Sequence, residues 1–424
     1  MSTSVKTAGV SMLRNPPLLQ LLLLLPQEIL IEILSQLPTK SLVRLRCVSK
    51  SFCTLIADHG FGVLQRSLSL TLPSRAGILI SISARSSPVY YTINFSEKKP
   101  WRPGMLQANS LANLDSEPLL KGSLRSSSDG LICLSRPIGD VVVCNVSTGQ
   151  RISLPRIQFS SACCARVGFD SQSQRYKVLM TACQRTRRRG SRQICFEYNH
   201  WILTVGVDKS WREVNYSSLP FYPFDANGCP GYSDTSVHID GVIYQYNWLT
   251  RDDPPSFDIV AFEVGSESYA FIPIPPELPS SSQIHSIDAF GEKYHYSGLV
   301  LRNFALLQVY GGQLAIVYVH KIRHLYYMDV WTWKKSEERW GKMTVPIPCE
   351  ESRKIKGFEY VRYSTNHAGE IVLLCINTEK LFILVCNLKS KVLKTFDVGG
   401  VEFPICFPRD VRMYKTMDNV FSIE

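Results

Sequence analysis

The feature that most restricts this chain is a repeat. Six short apolar segments, each closing on a small or polar residue and a further apolar one, stand at nearly even intervals: YTINF at 91–95, VCNV at 143–146, TVGV at 204–207, AFEV at 261–264, YMDV at 327–330 and VCNL at 385–388. Measured between Phe95, Val146, Val207, Val264, Val330 and Leu388, the intervals are 51, 61, 57, 66 and 58 residues. A period of this length marks an architecture made by repeating one supersecondary unit.

The unit can be read around each segment. Before several of them comes a glycine turn and a strand, at Asp129-Gly130, Asp240-Gly241, Gly311-Gly312 and Gly369. After them comes a polar turn and a strand that runs to proline, as in STGQRISLP (147–155), GSESYAFIPIP (265–275) and WKKSEERWGKMTVPIP (333–348). Three or four short antiparallel strands repeated about six times describe a β-propeller-like array. The competing arrangement is a plain β-sandwich, since alternating hairpins occur in any all-β fold. Composition agrees with many short strands: 25 Gly, 24 Pro, 11% aromatic and only 20% charged residues. Trp201, Trp211, Trp248, Trp331, Trp333 and Trp340 all fall in this half and are expected mostly between blades.

A different unit precedes the repeats. LPQEILIEILSQLPTKSLVRLRCVSKSFCTLIADHGF, residues 25–61, reads as three short helices. Pro26 suits a first turn, with Glu28 near the positive end of the dipole and Leu30, Ile33, Leu34 and Leu37 at helical spacing. Pro38 stops that helix, Thr39 or Ser41 can cap a second carrying Leu42, Leu45 and Val48, and Ser49 opens a third with Phe52, Leu55 and Ile56 that ends at Gly60. So small a unit cannot build an adequate core unaided. Leu25, Ile29 and Ile33 lie partly off the inward stripe, which predicts either an apolar docking surface or a cap packed on the following domain.

The run Leu25-Pro26-x-Glu28-Ile29-Leu30-x-x-Ile33-Leu34-x-x-Leu37-Pro38-x-Lys40-Ser41-Leu42-x-Arg44-x-Arg46-x-Val48-Ser49-Lys50-x-Phe52-x-x-Leu55-Ile56 resembles the F-box almost position for position, with Phe52 where many F-boxes carry Trp. That resemblance implies a trihelical module binding the Skp-like adaptor of a cullin–RING ubiquitin ligase. The adaptor contact and helical core together would use Leu25, Pro26, Ile29, Ile33, Leu37, Pro38, Leu42, Val48, Phe52, Leu55 and Ile56. Val167-Gly168-Phe169-Asp170 with Tyr176-Lys177-Val178, His238 to Tyr244, Ile259 to Glu263 leading to Phe271-Ile272-Pro273-Ile274-Pro275, and Met328 to Trp331 leading to Trp340 resemble the F-box-associated, kelch-like interaction domain of plant F-box proteins.

Chemistry-bearing motifs are missing: no G-x-S-x-G, no phosphate-binding glycine loop and no H-E-x-x-H. His320 and His324 stand four apart, but VYVHKIRHLYYMDV reads as strand–turn–strand and offers no completing ligand. The acid pairs Asp252–Asp253, Glu337–Glu338 and Glu350–Glu351 read as solvated loop charges. The 13 cysteines include the vicinal Cys163 and Cys164 but no C-x-x-C, and Cys133, Cys144, Cys375 and Cys386 sit in strand-like runs as small hydrophobes. A reducing cytoplasmic or nuclear compartment fits them. Secretion would lean on Leu18 to Leu25 and on sequons at Asn94, Asn145 and Asn215, yet Gln20 breaks the apolar run and no cleavage site follows. No run is long enough to span a bilayer. The net charge of +11 includes Arg185, Arg187, Arg188, Arg189 and Arg192 in one stretch, read as a solvated loop or, alternatively, an import signal. The remainder is too scattered for a nucleic-acid surface.

Together these readings predict a disordered lead over 1–17, a small all-α F-box over 18–62, and an all-β F-box-associated domain over 63–424. The expected role is the substrate-recognition subunit of a Skp–cullin–F-box ubiquitin ligase, with no catalytic residue, no cofactor and an unidentified protein client. The rivals are an adaptor-binding scaffold outside any ligase and an autonomous propeller that binds or catalyses alone.

Overall fold

The computed structural model describes residues 25–83, 88–95, 104–111, 114, 123–135, 139–157, 163–187, 194–214, 236–249, 256–278, 304–323, 325–355, 360–405 and 411–423. The expected disordered lead, Leu18 to Leu24, Arg188, Arg189, Arg192, Asn215, Asp252–Asp253, His324 and the side chain of Trp248 lie outside the described residues.

Among the described residues, four helices come first: α1 (Gln27–Ser35), α2 (Thr39–Arg46), α3 (Lys50–Ala57) and α4 (His59–Thr71). The first three lie where the sequence reading puts them, except that α2 stops at Arg46, so Val48, expected on its inward face with Leu42 and Leu45, lies beyond it and exposed, and α3 stops at Ala57, short of Gly60. The fourth corrects it, because the chain continues through Gly60 and crosses residue 62 inside α4. Asp58 is the cause: its carboxylate accepts from the Phe61 amide at 3.1 Å and starts a new helix. The inward stripe of α4 is Phe61, Gln65 and Ser69, two of them polar, so no apolar period announces it.

Strands follow as β1 (Ala76–Ser83), β2 (Pro88–Ile93) and β3 (Met105–Ser110), then five sets of four. These sets are β4–β7 (Ser123–Ser128, Leu131–Ser135, Val141–Asn145, Arg151–Ser153), β8–β11 (Cys163–Asp170, Arg175–Arg187, Ile194–Thr204, Arg212–Val214) and β12–β15 (Ser236–Ile239, Val242–Leu249, Ser256–Glu263, Ser268–Pro273). The remaining two are β16–β19 (Phe304–Val309, Gln313–Ile322, Leu325–Lys334, Arg339–Pro346) and β20–β23 (Tyr360–Thr365, Ile371–Ile376, Leu381–Asn387, Val392–Gly399). A short helix α5 (Cys349–Ile355) precedes β20, and β24 (Arg412–Met417) comes after β23.

Each set is an antiparallel sheet in sequence order, and β24 pairs with β1, from Ala76↔Met417 to Ser81↔Arg412. The strands β24, β1, β2 and β3 therefore form a sixth unit, joined to its neighbour through the parallel pair β23·β3. The first strands β4, β8, β12, β16, β20 and β24 touch one another in that order and return from β24 to β4, closing a ring of six blades. All six repeated segments fall on or at the end of the third strand of a blade: β2, β6, β10, β14, β18 and β22.

Burial explains why those strands were legible. The middle strands β5, β6 and β21 are buried along their whole length, and β22 along nearly all of it, since neighbouring blades cover both faces and demand continuous apolar runs. The outer strand β15 alternates instead, with one face toward solvent. At the β4–β5 and β12–β13 turns, Asp129, Gly130, Asp240 and Gly241 all have positive φ, as a two-residue hairpin of the mirror-image type requires. Blades are latched at their rims: the Trp211 indole donates to the Pro155 carbonyl at 2.6 Å and the Trp340 indole to Pro273 at 2.7 Å.

The structure settles several side issues. Cys133, Cys144, Cys375 and Cys386 are buried thiols, and burial pushes that of Cys386 up to about 12. Asn145 is wholly buried, its amide donating to the Phe421 carbonyl at 3.1 Å, so that sequon is inaccessible. Part of the arginine run is strand rather than loop, with Arg185 opposite Phe196 and Arg187 opposite Ile194 in the β9·β10 ladder.

Candidate functional site

The helical module sits on one end of the ring, and the contact is built residue by residue. Leu30, Leu34, Leu42, Phe52, Ile56 and Phe61 form its core, completed by Val420 from the segment after β24. That segment is extended and alternates: Val420 enters the helical core while Phe421 and Ile423 enter the core between blades β4–β7 and β8–β11. Phe421 stacks edge-on with Phe169, Tyr176 and His59, and Gly62 of α4 lies against it so closely that a Cβ would stand 3.2 Å from the Phe421 Cα.

A polar cluster joins α4 to the inner turns. Arg66 donates through Nε and Nη2 to Asp129, the former at 2.9 Å, and its guanidinium lies 3.5 Å from the centre of the Phe169 ring. Burial pushes the Asp129 carboxyl up, but the Arg66 guanidinium, supported by the Lys415 ammonium, outweighs it and holds it below its ordinary range. His238 bridges two blades. Its Nε2 accepts from the Phe169 amide at 3.2 Å, which places the ring proton on Nδ1, 3.0 Å from Ser128 Oγ. Burial also lowers its pKa and keeps it neutral. Lys415 on β24 donates to Gln308 Oε1 at 3.1 Å, and Asn419 donates to the Asp129 carbonyl and the Tyr176 hydroxyl. Opposite charges meet here, and the cluster fastens the helices to the ring.

The structure divides the eleven residues expected for adaptor contact and helical core. Leu42, Phe52 and Ile56 are buried, so they cannot touch a partner and act only through the shape they give the helices. Leu25, Leu37 and Leu55 are half-buried. Pro26, Ile29, Ile33, Pro38 and Val48 face solvent, with Ile29 44%, Ile33 40% and Val48 53% exposed. Ile33, which shares the helical spacing of Leu30 and Leu34 but is expected partly off their stripe, lies with Ile29, one turn away, on the outer face of α1. Large apolar side chains left outside a module whose core is already filled are the surface on which a partner can dock.

Sequence reasoning missed two contributors. Pro38, not Thr39 or Ser41, occupies the N-cap of α2, and a proline offers no capping side chain. Asp418 supplies the acceptor, its Oδ2 lying 3.4 Å from the Thr39 amide. Neither it nor Val420 carries a signal in its local sequence.

Among the described residues, no group of three or more His, Cys, Asp or Glu is placed to hold a metal ion, and no helix is long and apolar enough to cross a membrane. His320 lies in β17 with its Nε2 3.2 Å from Asp329 Oδ2.

Comparison with known proteins matches residues 22–64 to the F-box domain and residues 103–420 to the F-box associated beta propeller domain. A putative F-box protein of Arabidopsis thaliana is 25% identical over 88% of this chain and 87% of its own length. A second F-box protein of that plant is 26% identical over 94% and 95%. Among solved structures, TolB from Acinetobacter baumannii covers 84% of this chain and 72% of its own at 11% identity, with a TM-score of 0.40, a likeness too low to add to the fold described above. The chain thus belongs to the plant F-box proteins, an F-box followed by an F-box-associated β-propeller domain.

Proposed function

We propose that the chain is a substrate receptor of a Skp–cullin–F-box ubiquitin ligase. The helical module docks on the Skp-like adaptor through Pro26, Ile29, Ile33, Pro38 and Val48, and the propeller holds a protein client. The observation that carries this reading is the exposed apolar face of α1 on a module whose inner face is already consumed by Val420 and the ring. No bond chemistry is asked of this chain: holding the client beside the charged conjugating enzyme raises effective concentration.

Client binding falls to the end of the ring away from the helices. The helix end is occupied by α4 and by tight turns such as Asp129-Gly130 and Asp240-Gly241. The connections between blades, and those between second and third strands, leave from the other end, where Ile322 and Leu325 at the β17–β18 turn and Phe403 after β23 stay exposed. Exposed apolar anchors on a rigid scaffold suit recognition of a protein. A cytoplasmic or nuclear location agrees with the buried free thiols.

The test is binding of a purified Skp-like adaptor to the full chain and to an Ile29→Ala, Ile33→Ala double variant. Both positions are exposed, so the fold should survive, while loss of apolar contact should weaken binding by about tenfold or more. Equal binding by both proteins would move the interface elsewhere, and no binding by a folded wild-type chain would end the receptor reading.

A further inference from the structure

The α1–α2 junction is the least self-sufficient part of the helical module. α1 ends with carbonyls that its own turn does not satisfy, and α2 begins after a proline that cannot cap it. Both deficits are met by residues that flank one ladder of the propeller. Arg75, immediately before β1, donates through Nη2 to the Ser35 carbonyl at 2.7 Å and the Leu37 carbonyl at 3.2 Å. Asp418, immediately after β24, receives the Thr39 amide at 3.4 Å, and its own amide donates to the Arg75 carbonyl at 2.7 Å. The two residues are held face to face by the β1·β24 register, in which Ala76 stands opposite Met417. Two residues further on, Val420 is 1% exposed inside the helical core.

We infer that the strand pairing which closes the propeller ring also builds the adaptor-binding helices: Arg75, Asp418 and Val420 are positioning residues for a surface they do not touch. This rests on the receptor reading above and goes beyond it. A module of this size lacks the core to stand alone. With β24 undocked, α2 loses its N-terminal acceptor, the core loses one wall, and Arg75, the donor to the end of α1, loses the Asp418 amide that holds its carbonyl, so the helix that presents Ile29 and Ile33 is no longer fixed. Adaptor binding is then coupled to ring closure, and only a chain with a completed propeller is admitted to the ligase.

The experiment uses the full chain as wild type, Val420→Asp and Val420→Ile, with two readouts: affinity for the purified Skp-like adaptor, and native-state hydrogen exchange of amides in α1–α3, β1, β24 and β21. Val420→Asp should weaken adaptor binding by about tenfold or more and speed exchange in α1–α3 while β21 keeps its protection. Val420→Ile, which keeps the apolar contact, should bind within about twofold of wild type. Wild-type affinity in a folded Val420→Asp chain overturns the inference. If that variant does not fold, the wild-type exchange decides: α1–α3 opening together with β1 and β24 supports the coupling, and α1–α3 opening more readily and independently of the seam overturns it. A folded wild-type chain that binds no adaptor refutes the receptor reading, and the exchange then judges the coupling by itself.

Discussion

At the scale of single residues, the Arg66–Asp129 pair has the clearest consequence. It joins a helix to a blade turn, both side chains are largely shielded from water, and the Asp129 carboxyl titrates below its ordinary range. A carboxyl whose folded value is depressed adds stability that is present above its unfolded value, about 3.9, and lost as pH falls through the folded one. Asp129→Asn should therefore cost on the order of 3–5 kcal/mol at neutral pH, because Arg66 is left without its counter-charge in a buried site. As pH falls below about 4 the gap between variant and wild type should begin to narrow, closing only below the depressed folded value. Urea titrations at pH 7 and pH 3 check this, and a stability gap of equal size at both values would refute it. His238, kept uncharged by burial while its unfolded counterpart titrates near 6.5, works in the same direction, its contribution being lost as pH falls below that value.

At the scale of elements, α1 separates two jobs by face. Leu34 is buried in the helical core and Ile33, its neighbour, is exposed. Leu34→Ala should cost about 2–5 kcal/mol in thermal or urea unfolding. Ile33→Ala should leave the melting curve nearly unchanged and weaken the adaptor instead; a large stability loss from Ile33→Ala would place that side chain in the core after all. At the blade rims, Trp211→Phe keeps most of the packing but leaves the Pro155 carbonyl without its indole donor, a loss of about 1 kcal/mol. Urea unfolding monitored by circular dichroism would read it, and no change would mean the latch is replaced by water. What the sequence showed at this scale follows from the physics. Continuous apolar runs such as VVVCN and LFILVCN exist because two blades cover them, and Asp-Gly pairs exist because the turn needs positive φ. Ile29 stood out because it broke the inward stripe of α1. By contrast α4 hid behind Gln65 and Ser69, and the pairings β1·β24 and β23·β3 stayed invisible because non-local partners leave no local period.

At the scale of the molecule, the boundary expected at residue 62 falls inside a helix. α4 crosses it, Phe61 belongs to the helical core, and Phe421 of the ring packs on His59 and Gly62. A receptor built this way holds its client end at a fixed distance and angle from its adaptor face. Two units that share a core residue, a buried ion pair and the seam of the ring should also unfold together. Helical ellipticity, dominated by α1–α4, and tryptophan fluorescence, which arises in the described chain from blade residues such as Trp201, Trp211, Trp331, Trp333 and Trp340, should follow one coincident transition in urea. Added Skp-like adaptor should move both midpoints upward by the same amount, since a ligand bound only to the folded state stabilises every element that unfolds with its site. If ellipticity were lost at lower urea than fluorescence, or if the adaptor moved only the ellipticity midpoint, the helices would be an independent domain and the fixed geometry between adaptor and client would have to come from the complex.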